Sequence, residues 1–117
     1  MKKDYINNLE AAINTKNELK SITKILKDKK AKDITVVDLT SKSILCDYFV
    51  IVTATSKTHS KSLVENISIE LKKEKIYPQS IQGLREAGWI IMDYGSIVVH
   101  VFTDGKREFY NLEELWK

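Results

Sequence analysis

His59 stands among Ser56, Ser60 and Ser62, the neighbourhood that a Ser–His nucleophile pair would need. Hydroxyls clustered at the start of a helical stretch more often cap backbone N–H groups, and no G-x-S-x-G elbow frames any of the three. His100 lies between Val99 and Val101. Strand alternation puts it on one face with Val98 and Phe102, as a partly buried polar group with its hydrogen bonds met. The two histidines are far apart, no HExxH pattern is present and Cys46 is the single cysteine, so nothing resembles a zinc signature. Cys46, inside ILCDYFV, reads as a small core hydrophobe rather than a nucleophile. Asp33, Asp38, Asp47 and Asp93 fall at strand ends or turns. Two or three of them meeting across a sheet could hold a divalent metal, but none forms a D-x-D or D-x-E pair, and capping turns or bounding strands is the simpler role. Neither a GxxxxGK[ST] loop nor a GxGxxG turn occurs. The expectation is a protein with no catalytic residues, no resident metal and no cofactor.

These side chains need elements to hold them. Residues 5–29 carry Leu19, Ile22, Ile25 and Leu26 at helical spacing, with Lys20, Lys24 and Lys27 on the other side. Tyr5, Leu9 and Ile13 continue a weaker stripe, and Asn14, Thr15 and Asn17 are expected to divide the segment. DITVVDL (33–39) and DYFVIVTA (47–54) read as strands, the second apolar enough to be covered on both faces. Leu63, Ile67 and Leu71, with Val64, predict a helix over 58–75, capped by Ser56, Thr58 or Ser60. PQSIQG predicts a short strand. WIIMDYGSIVVHVF predicts a hairpin turning at Tyr94–Gly95, where Gly takes positive φ and Asp93 or Ser96 bonds the turn backbone. The tail is expected to pack Phe109, Tyr110, Leu112, Leu115 and Trp116 onto the body as short helical turns. The order is helix, strand, strand, helix, three strands, short helix. That is an α/β fold, a mixed β-sheet with packed helices.

A chain of 117 residues suits one domain with a core of its own. Residues 1–17 read as an N-terminal extension or extra helix, and 18–117 as the domain. The apolar runs are far too short to span a membrane and no signal-peptide h-region follows the first lysines, so a reducing cytoplasm is the expected location. Charge is uneven. Residues 1–32 hold nine Lys against four acids; residues 33–117 hold ten Lys or Arg against twelve. A basic arm can lean on RNA phosphate or be the solvated side of a helix.

The hairpin poses the remaining question. Of its fourteen residues, 89–102, ten are apolar or aromatic, in both registers. Such a hairpin is either covered twice or leaves part of itself outside. Trp, Tyr and Met are enriched at interface hot spots. Trp89, Met92 and Tyr94, with Arg85 and Glu86 as a polar rim, are therefore the candidate protein-docking patch.

From Ser21 to Trp116 the chain resembles the ribosomal silencing factor (Iojap-like, YbeB-like) family. The resemblance is carried by KKAKDITVVDLTSKS, by CDYFVIVTATS with His59 close behind, by W-x-x-x-D-x-G-x-x-V-V-H-V from Trp89, and by R-x-F-Y-x-L-E-x-L-W from Arg107. It implies a domain of nucleotidyltransferase-like topology without the catalytic residues. It implies binding to ribosomal protein uL14 on the large subunit, steric exclusion of the small subunit, and so translational repression. Trp89 matches the tryptophan of the family's docking surface. A peripheral rRNA contact and a homodimer are further implied partners. Ala54 stands where the family usually has Gly, so that loop needs ordinary φ and ψ. Thr58, Gln82 and Ser96 also depart from the common pattern, at single contacts. Two rival readings remain, an RNA-binding assembly factor working through the basic arm and a metal-dependent nucleotidyltransferase using Asp38, Asp47 or Asp93.

Overall fold

The computed structural model describes residues 2–116, with the side chains of 2–8, 109 and 116 outside the described set. The element order is the expected one: α1 (Lys2–Asp28), β1 (Lys32–Asp38), β2 (Tyr48–Ala54), α2 (Lys57–Lys73), β3 (Ser80–Gln82), β4 (Trp89–Asp93), β5 (Ile97–Thr103) and α3 (Lys106–Tyr110), then a 3-10 turn over Leu112–Trp116.

One expectation fails at once. α1 is a single helix of 27 residues, with no break at Asn14–Asn17. Asn and Thr weaken a helix by only about 0.5 kcal/mol each, and neither removes a backbone hydrogen bond as Pro does. The helix ends where Lys30 takes a positive φ of 65° and the Ala31 N–H closes back on the Leu26 carbonyl. The Tyr5 part of the expected stripe lies outside the described side chains. Leu9 and Ile13 are exposed.

The sheet runs β1-β2-β5-β4-β3. β2 and β5 are parallel, and every other neighbouring pair is antiparallel. A parallel pair cannot be closed by a tight turn, and here α2, β3 and β4 intervene. Period-2 alternation splits the sheet into two faces. On one, Val50, Val52, Ile90, Met92, Ile97, Val99 and Val101 pack under α1 and α2, against Ile22, Leu26, Leu63, Ile67 and Leu71. On the other, register aligns Phe49 with Val98, Ile51 with His100 and Ile91, and Phe102 with Trp89. Among the described residues α3 packs against β5 on that second face, with the 3-10 turn joined to it through Arg107 and Glu113.

Local chemistry explains the joints. Ser56 caps α2, its Oγ accepting the His59 backbone N–H at 3.0 Å. The hairpin turn has Gly95 at φ 87°, with Asp93 Oδ1 accepting the Gly95 N–H at 2.7 Å. Ala54 is buried and keeps ordinary backbone angles, as its side chain requires. Gly83 (φ 86°) opens the loop before β4, and a Cβ there would lie 2.1 Å from the Trp89 carbonyl oxygen. Trp89 thus enters its strand over a backbone contact that only glycine permits. The expected packing of Phe109 and Trp116 falls on side chains outside the described residues.

Candidate docking surface

Trp89, the first residue of β4, is half-buried on the second sheet face. Its ring stacks on Phe102 with centroids 5.0 Å apart and meets Tyr110 at 4.6 Å. Its Nε1–H donates to His100 Nδ1 at 3.1 Å. The indole is therefore held from three sides while part of it stays open to solvent.

His100 is 5% exposed, and burial pushes its pKa down to about 4. At neutral pH the ring is uncharged. Because Nδ1 accepts, the proton sits on Nε2, and that nitrogen has no partner among the described residues. The expectation of a fully bonded histidine is thus half right. Phe49 meets the imidazole edge-on at 4.6 Å.

The structure does not bring the five candidate docking residues together. Trp89, Arg85 and Glu86 lie at or near the surface. Met92 is 0% exposed and belongs to the core under α1 and α2, and Tyr94 is buried with it. This corrects the sequence reading, and the reason is parity. Residues 89 and 92 are an odd number apart, so a strand turns them to opposite faces. Burial raises the Tyr94 phenol to about 12, with help from Glu18, and its hydroxyl finds no partner among the described residues. Alternation selects other companions for Trp89: Ile91, Val98 and Phe49 share its face and are partly exposed. Ile44 and Leu45, in the loop before β2, are almost wholly exposed. Sequence reasoning passed over that pair, although two adjacent apolar residues in a polar turn are themselves a signal.

Arg107 seats the segment that covers Trp89. Its guanidinium forks onto Glu113, with Nε at 2.7 Å and Nη2 at 3.0 Å from the carboxylate oxygens. It also donates to Thr53 Oγ1 (3.1 Å), Thr35 Oγ1 (2.7 Å) and the Asp33 carbonyl. All five donors are spent on the protein's own atoms. The cleft beside it, about 420 Å³, lies at the C-terminal ends of the parallel strands and holds Asp33, Asp104, Glu108 and Asn111. Open α/β sheets bind ligands at such places, yet this one's cation is already committed.

The other chemistry-bearing residues serve the fold. His59 Nδ1 accepts the Thr55 N–H at 3.0 Å and Nε2 donates to the Lys29 carbonyl at 2.9 Å, tying the start of α2 to the end of α1. Ser60 is buried, donating to the Ala87 carbonyl at 2.8 Å. Asp38 accepts from the hydroxyl and the amide of Thr40, which hold its carboxyl below the usual range. Cys46 is half-buried rather than a core residue. Burial and the carboxylates of Asp47 and Asp93 push its thiol up, away from the reactive thiolate. Among the described residues no group of three or more His, Cys, Asp or Glu side chains converges as a metal site would need. Among the described residues no helix is long and apolar enough to cross a membrane.

Comparison with known proteins adds a separate line. The family described as "Ribosomal silencing factor during starvation" matches residues 12–117. The Bacillus subtilis protein named ribosomal silencing factor RsfS is 35% identical over 104 residues, covering 89% of this chain and 88% of its own. A mouse protein named "Mitochondrial assembly of ribosomal large subunit protein 1" is 31% identical over 107 residues, covering 89% of this chain and 47% of its own. A crystal structure of a Chromobacterium violaceum protein superposes with a TM-score of 0.83 at 28% identity, covering 86% of this chain and 84% of that one.

Proposed function

The chain belongs to the ribosomal silencing factor family, and from that premise we propose that it represses translation from the large ribosomal subunit. It binds ribosomal protein uL14 through the open face of its sheet and keeps the small subunit from joining. No bond is made or broken, and no metal or cofactor takes part. The observation that carries this reading is Trp89: an aromatic anchor, braced by Phe102, Tyr110 and His100 and half-buried on a sheet face that the long helices leave uncovered. Braced, half-open aromatics make hot spots because little side-chain freedom is lost on docking. Phe49, Ile91 and Val98 form the apolar surround, and Arg85 and Glu86 the polar rim. Action takes place in the cytoplasm, where subunits meet.

Co-sedimentation with purified large subunits tests the reading. Trp89→Glu puts a charge into the contact and is expected to weaken pelleting by at least about a hundredfold in affinity, as loss of a central hot spot does. A folded Trp89→Glu protein that pellets like the wild type overturns it.

A second reading has one observation in its favour, the similarity to the mouse protein named for mitochondrial assembly of the ribosomal large subunit. Here the exposed lysines of α1, Lys16, Lys20, Lys24 and Lys27, lean on rRNA phosphate. Replacing Lys16, Lys20, Lys24 and Lys27 together by Gln is expected to lower RNA affinity and its salt dependence while leaving uL14 binding intact. Self-association through the open face would compete with docking; uL14 affinity that does not change with protein concentration counts against it.

A further inference from the structure

The indole of Trp89 has two kinds of neighbour. Phe102 and Tyr110 press on its faces. Such contact fixes the plane of the ring but tolerates a half-turn about the Cβ–Cγ bond, which keeps the plane and swaps the two edges, because apolar contact is non-directional. The bond from Nε1–H to His100 Nδ1, 3.1 Å long, is different. It is directional, and the N–H sits on one edge of the ring, so it selects one of the two flips about Cβ–Cγ.

His100 is a poor choice for the core on any other ground. It lies among Phe49, Phe102, Ile51 and Ile91, and its Nε2 is left without a partner among the described residues. An apolar side chain would fill that space with no polar atom to desolvate. We propose that His100 is a positioning residue of the docking face, whose Nδ1 lone pair sets the edge that Trp89 presents to its protein partner. This rests on the docking reading above. The fold holds without the bond; the presented surface does not.

Two amide substitutions separate this from a packing role. Asn places its terminal atoms near the position of Nδ1, and Gln reaches toward that of Nε2. His100→Phe removes the acceptor and keeps the bulk. In the full chain, the Trp89 indole N–H resonance, assigned by its loss in Trp89→Phe, reports the bond, and co-sedimentation with large subunits reports docking. His100→Asn is expected to keep the indole N–H protected from exchange and to bind like the wild type. His100→Gln and His100→Phe are expected to lose that protection and to bind about fivefold more weakly, with His100→Phe melting no lower than the wild type. Equal binding by the Asn and Gln variants overturns the proposal, and a His100→Phe variant that fails to fold leaves that comparison standing. Trp89→Ala keeps the two readings apart. If it abolishes binding while His100→Gln binds normally, positioning alone falls; if it binds normally, docking through Trp89 falls and positioning with it.

Discussion

Tyr94 and His100 each bury a polar atom without a partner among the described residues, and they should answer to mutation in opposite ways. The Tyr94 hydroxyl sits on the helix-covered side, away from any docking surface. Deleting it relieves a desolvation penalty and opens only a small void. Tyr94→Phe is therefore expected to raise stability in urea by about 1 kcal/mol and to leave large-subunit binding unchanged. His100 couples instead to pH. Its folded pKa of about 4 lies below the 6.5 of a free histidine. The unfolded chain thus takes up a proton that the folded chain refuses. The stabilisation is present in full above about pH 6.5, declines as pH falls toward 4, and is gone below that. Its size is at most on the order of 3 kcal/mol. Denaturant midpoints measured from pH 7 to 4 should fall less steeply for His100→Phe than for the wild type; parallel curves would show that His100 does not titrate with unfolding.

Two elements decide what Trp89 looks like from outside. The hairpin sets its parity, and the segment from Lys106 to Trp116 sets how much of it is covered. That segment is short and could not hold itself as an isolated helix. It is held by Arg107, whose side chain is largely buried and reaches partners 74 residues away in sequence. Lys cannot reproduce the fork. Arg107→Lys is expected to cost about 1–3 kcal/mol and to speed amide hydrogen exchange in 106–116 before the sheet is affected. Uniform acceleration across the whole chain would instead mean that the clamp holds up the entire fold. The hairpin was legible because apolar density, Gly95 and Asp93 are local signals. The Arg107 clamp was not, since nothing near position 107 announces Thr35, Thr53 or the Asp33 carbonyl.

As a body the protein measures 48 × 33 × 22 Å. Contacts between large assemblies close over a few ångströms, so a wedge even 22 Å thick holds two surfaces apart. Its two sides differ in kind. The open sheet face is apolar and aromatic, and the helices on the opposite side carry exposed lysines. If repression is occlusion, it should saturate with occupancy: subunit joining, followed by light scattering, is expected to fall in proportion to the fraction of large subunits bound. Repression that continues to deepen after saturation, or that needs added nucleotide, would point to turnover.

Local order along the chain was written in the sequence. The succession of elements, a hydroxyl cap at Ser56, Thr58 or Ser60 and the turn at Gly95 follow from spacings of a few residues, which short-range sterics and hydrogen bonding impose, whereas the choice of Ser56 and the continuity of α1 did not. Alternation says that two faces differ; it does not say which one the helices will cover. That choice belongs to the tertiary structure, because it depends on where Ile22 and Leu26 of α1 and Leu63, Ile67 and Leu71 of α2 find their partners. Their docking buried Met92 and Tyr94 and left Trp89 on the open face. The contact of His100 with the indole follows from the hairpin register, which sets the two diagonally on one face; that this face is the one the long helices leave open was decided by the tertiary packing.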